Sequence, residues 1–89
     1  MSGKAKRTPS LRRAFGAEVR HLRESRGLTQ LALATICKLD RTFIGGIERG
    51  QQNPSLECIV KIAKSLGVPV ARLVAGVDEE GAAKTNETA

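Results

Sequence analysis

The chain has 89 residues, is 40% apolar, and holds only Phe15 and Phe43 as aromatics. That length suits one small domain with a limited, aliphatic core, and no run approaches the ~20 apolar residues of a membrane span. Fifteen Lys and Arg against nine Asp and Glu give a net charge of +6, which suggests a polyanionic partner.

Residues 1–10 carry Lys4, Lys6 and Arg7, lack apolar periodicity and end at Pro9-Ser10, so they read as a flexible basic arm. No apolar stretch follows them, so no secretory signal is expected and a bacterial-type cytoplasmic location is the default. Ser10 is placed to N-cap a first helix from Leu11 to Arg26, in which Leu11, Phe15, Val19 and Leu22 form one apolar stripe. Gly27 closes it. Thr29 caps a second helix, Gln30 to Cys37, made mostly apolar by Leu31, Leu33, Ala34 and Ile36. Asp40 caps a third, Arg41 to Arg49, which Gly50 stops. After the polar loop at Asn53-Pro54, Ser55 caps a fourth helix, Leu56 to Leu66, with Leu56, Ile59, Ala63 and Leu66 on one side. Pro69 begins a short fifth, ending near Ala75. Residues 77–89 are polar and acidic, an expected flexible tail. The expected fold class is all-α, with five helices in a single domain over residues 11–76.

The second and third helices are short, joined by a tight turn, and clamped by Leu33, Ile44 and Ile47. That arrangement lets the third helix enter a DNA major groove, with Arg41 and Thr42 at its start. Cys37 and Cys58 make no metal pattern, and His21 does not complete one; both thiols read as buried and inert. No nucleophile–base pair, phosphate loop or carboxylate cluster is present, so an enzyme is not expected, nor is a cofactor or small-molecule ligand.

Gly27-Leu28-Thr29-Gln30, Ile47-Glu48-Arg49-Gly50, Asn53-Pro54-Ser55-Leu56 and Ala63 to Val68, in this order and spacing, resemble the Cro/cI-type or XRE family of helix-turn-helix transcriptional regulators. The segment Leu39 to Arg49 also resembles the small controller proteins of restriction–modification systems. The resemblance implies a lambda-repressor-like domain that binds double-stranded DNA as a homodimer on an inverted-repeat operator. RNA polymerase is a further implied partner, for a regulator that is bacterial or phage-derived and associated with the nucleoid.

By the same resemblance Arg41, Thr42, Phe43 and Gly46 fall at base-reading positions. An Arg there can be bidentate to guanine, worth roughly 1–3 kcal/mol of discrimination. Phe43 has a second reading, packing against the first helix. Thr29, Gln30, Arg23, Lys38, Arg49, Gln51, Gln52 and Asn53 fall at or beside positions that follow the phosphate backbone. Arg23 and Glu48 match an internal salt bridge linking the first and third helices. Val68, Val70, Leu73, Val74 and Val77 are the implied dimer interface. Two departures stand out. Lys38 occupies a turn position usually held by Gly, and Gly45-Gly46 interrupts the third helix where relatives often carry a reading side chain. The rival reading is a protein-interaction or antitoxin-type module on the same scaffold.

Overall fold

The computed structural model describes the backbone of residues 2–75 and the side chains of residues 11–75. Five helices follow in order: α1 (Ser2–Ser25), α2 (Gln30–Cys37), α3 (Arg41–Glu48), α4 (Leu56–Leu66) and α5 (Val70–Leu73). Among the described residues there is no strand, and no helix is long and apolar enough to cross a membrane. Val77 and the expected acidic tail lie outside the described residues.

The caps explain where the helices begin. Thr29 accepts from the Ala32 N–H at 3.0 Å, Asp40 from Thr42 at 2.9 Å, and Ser55 from Cys58 at 3.2 Å. Each satisfies one donor that a helix start leaves unpaired. The expected N-cap at Ser10 is a correction: α1 already runs from Ser2, so Ser10 lies within the helix. Pro9 falls within this span and removes the N–H that would bond the Ala5 carbonyl. α3 ends at Glu48, with Arg49 as its C-cap, and α5 is shorter than expected.

The core is aliphatic. Val19, Leu33, Ile44, Ile62 and Leu73 are completely enclosed, joined by Phe15, Leu22, Ile47 and Leu66. Full burial of one such side chain is worth roughly 1.5–3 kcal/mol. Leu73, expected at a dimer interface, is instead wholly inside the monomer, because α5 folds back onto α4 and α1. Arg72 ties α5 to α1 through Glu18 at 3.2 Å. Arg26 donates to the Leu66 carbonyl at 2.6 Å, joining the end of α1 to the end of α4.

Candidate nucleic-acid interface

α3 packs by Ile44 and Ile47, which are buried against α1 and α2. At 3.6 residues per turn, Thr42, Gly46 and Arg49 then lie on the opposite side. Arg41 and Thr42 are exposed at the N-terminal end, where the sequence places them. Phe43 is half-buried and packs against the core cluster, so the packing reading of this ring holds for much of its surface.

The helix is held in place by a buried ion pair. Arg23 donates from Nε to Glu48 Oε2 at 2.6 Å and from Nη2 to Glu48 Oε1 at 3.0 Å. Its Nη1 donates to the Leu28 carbonyl at 2.8 Å. The two side chains are 9% and 4% exposed. Bonding to Glu48 raises the Arg23 pKa against the opposing effect of burial, and the guanidinium stays charged. Each nitrogen of Arg23 thus makes a hydrogen bond inside the protein. The expected internal bridge to Glu48 is present.

Gln30 joins the same network, donating from Nε2 to Glu48 Oε1 at 3.0 Å. Its amide is thus aimed along α3 from the start of α2. Gly45 lies beneath it: a Cβ there would stand in ordinary contact, 3.4 Å, with Gln30 Oε1 and 3.2 Å from Arg49 Nη1. Arg49 in turn donates to Gln51 Oε1 at 3.0 Å. Thr29, Lys38, Arg49, Gln51, Gln52 and Asn53 are all exposed.

Gly46 does not itself face open solvent. It is buried, and a Cβ would come within 2.7 Å of Gln52 Cγ. It is the floor on which Gln52 lies. Lys38 takes φ 60° and ψ 42°, the left-handed conformation expected at steric cost, and its N–H closes α2 by bonding the Ala34 and Thr35 carbonyls.

Gly16 is a residue the sequence reading passed over. It lies in α1 where that helix crosses α3. A Cβ on it would overlap the Ile47 carbonyl oxygen and stand 2.8 Å from that of Glu48. Its only sequence signal is a glycine inside an otherwise regular amphipathic helix.

Cys37 is buried, with its thiol 3.3 Å from Ser65 Oγ, and burial pushes its pKa up. Cys58 is half-exposed, where the sequence reading expected burial. Among the described residues no group of His, Cys, Asp or Glu is arranged to hold a metal ion.

Residues 19–73 match the helix-turn-helix family known as HTH_3. Control protein C.BamHI of Bacillus amyloliquefaciens is 48% identical over 62 residues, covering 68% of this chain and 76% of that protein. The crystal structure of the restriction–modification controller protein C.AhdI from Aeromonas hydrophila superposes with a TM-score of 0.69 at 44% identity, covering 70% of this chain and 94% of that one. A Neisseria hypothetical transcription factor superposes with a TM-score of 0.71 at 36% identity, covering 75% and 77%.

Proposed function

The chain belongs to the Cro/cI-type (XRE) helix-turn-helix family of non-enzymatic, DNA-binding transcriptional regulators, and we propose that it acts as a homodimer on an inverted-repeat operator. In this reading α3 lies in the major groove, with Arg41 and Thr42 on base edges. The observation that carries it is the two-sided build of α3. Ile44 and Ile47 anchor one side in the core, while Arg41 and Thr42 stand free at the end that meets bases.

Thr29, Gln30, Lys38, Arg49, Gln51 and Asn53 flank that helix, so the phosphate backbone falls to them. Gln30 supports this role best, because its amide is already positioned by Glu48 at the N-terminus of α2, where backbone N–H groups favour an anion. The net charge of +6 favours approach to DNA.

A single helix reaches few base pairs, so specificity calls for two copies. The dimer surface is assigned to α4 and α5. Leu56 on α4 is 70% exposed, with Val60 one turn further on, and Val68, Val70 and Val74 are half-buried. This pairing places half-sites about one helical turn apart, ~34 Å. The likeness to C.BamHI and C.AhdI makes control of a restriction–modification operon the first role to test, with RNA polymerase as the partner whose access is blocked or promoted.

The test is a gel-shift titration against the DNA upstream of the protein's own gene, with scrambled duplex as control, and sedimentation of the complex. Selective binding by two chains, with affinity falling steeply as salt rises, is the expected result. Equal binding to both duplexes, or a single chain in the selective complex, would overturn the dimeric-operator reading.

A further inference from the structure

Gly46 leaves a gap on the outward side of α3, and the chain itself fills it. After the helix, Gly50 adopts φ 77°, and the Gln51 N–H returns to the Gly46 carbonyl at 2.8 Å. This reversal is fixed by α1, since a Cβ at Gly50 would stand 3.0 Å from Arg13 Cα. Gln52 is thereby turned back over the helix. Its Cγ would lie 2.7 Å, and its Nε2 3.3 Å, from a Cβ on Gly46. The methylenes rest on the glycine while the side chain remains exposed.

We infer that Gln52 is a base-reading residue, which supplies from the loop after α3 the contact that position 46 lacks. The inference rests on the proposed seating of α3 in the major groove. Gly46 is four residues from Thr42 and so on the same side of the helix. The Gln52 side chain therefore lies over the same side of α3 as Thr42. Among the described residues no hydrogen bond engages that amide, whereas Arg49 takes the neighbouring Gln51 at 3.0 Å.

The chemistry favours a base over a phosphate. A primary amide offers a donor and an acceptor side by side. A phosphate accepts only and would use just the donor half of the amide. Adenine presents N6–H₂ and N7 in the major groove, which matches both halves of the amide.

The test begins with selection of a preferred duplex from a randomised library by the wild-type protein. Binding of wild type and Gln52→Ala to that duplex and all its single-base variants then follows. Gln52→Ala is expected to bind the preferred duplex about tenfold more weakly and to lose discrimination at one A·T pair per half-site. Replacing that adenine by 7-deazaadenine should weaken wild type and leave Gln52→Ala unaffected. Gly46→Ala, which displaces Gln52, should blunt the same base preference. Gln52 is exposed in a loop, so a thermal melt should show the variant folded. A loss equal on every duplex would make Gln52 a phosphate contact and overturn the inference alone. A wild type that selects no sequence would overturn it together with the operator reading.

Discussion

Arg23 and Glu48 stand 25 residues apart in sequence, yet meet in a bidentate pair that is almost wholly enclosed. The pair fixes the C-terminal end of α3 to α1, and through Gln30 it also fixes the start of α2. One buried ion pair thus sets the angle between the two helices of the DNA-binding unit. An exposed pair would contribute only ~0–1 kcal/mol. Here, removing one partner leaves a charge without compensation in a site that water cannot refill.

Arg23→Met should therefore cost about 3–5 kcal/mol in urea unfolding, because the Glu48 carboxylate stays buried without its partner. The double variant Arg23→Met, Glu48→Leu should recover part of that loss, since no charge is then stranded. A single-variant loss below about 1 kcal/mol would show that the pair behaves as a surface bridge.

Gly16→Ala tests the crossing of α1 over α3. Helix propensity alone favours the change by roughly 1 kcal/mol. The new Cβ, however, meets the backbone carbonyls of Ile47 and Glu48, which no rotamer change can relieve. Overpacking of this kind costs typically 1–3 kcal/mol, occasionally more. We expect a net loss, read as a melting point lowered by about 5 °C or more, since each kcal/mol moves a domain of this size by roughly 4–8 °C. An unchanged or raised melting point would mean that α1 and α3 separate freely at this crossing.

Much of the fold is written in local chemistry. Thr29, Asp40 and Ser55 mark three helix starts, Gly27, Gly50 and Gly67 lie just beyond three helix ends, and the apolar spacing names most of the core. The parts that were not legible depend on partners far along the chain. Gly16 is required by carbonyls on another helix, and Leu73 is claimed by the core once α5 folds back. The bonds of Arg23 to Glu48 and Leu28 likewise depend on residues elsewhere in the chain. Pro9 differs: its ring is a frequent helix boundary, yet α1 spans it. The same division holds at the candidate site. Arg41 and Thr42 are readable from the cap that precedes them, whereas the position of Gln52 depends on the reversal at Gly50.

Lys38→Gly should stabilise the protein. The left-handed conformation costs a side-chain-bearing residue about 1–2 kcal/mol that glycine avoids, and the greater freedom of glycine in the unfolded chain returns part of it. A gain of about 0.5–1 kcal/mol in urea unfolding is expected. If Lys38 also meets a phosphate, the slope of log affinity against log salt should become shallower by about 1. A stability loss would place the turn in another conformation.

The two thiols should differ in reactivity. Cys58 is half-exposed, while Cys37 is buried and its thiol is pushed up, so the attacking thiolate is scarce and shielded there. Native protein treated with a thiol reagent should label quickly at Cys58 and slowly at Cys37, with Cys37 catching up in urea. The pH dependence follows from the same shift. The folded state holds the Cys37 proton more tightly than the unfolded chain, so stability is unaffected below the ordinary thiol pKa and falls as pH rises above it. Cys37→Ala should flatten that alkaline decline. Equal labelling rates in the native state would contradict the burial of Cys37.

Arg41→Ala separates base reading from general attraction to DNA. Arg41 is exposed at the first position of α3, beyond the Asp40 cap, with no described residue hydrogen-bonded to its guanidinium. A bidentate contact to guanine should be lost at a cost of roughly 1–3 kcal/mol on the preferred duplex, and preference should relax at one G·C pair per half-site. Gln30→Ala is the contrast. Its amide is held by Glu48 at the start of α2, so its loss should weaken all duplexes by a similar factor. If Arg41→Ala reduced binding uniformly while Gln30→Ala changed the base preference, the two roles would have to be exchanged, and α2 rather than α3 would lie nearest the base edges.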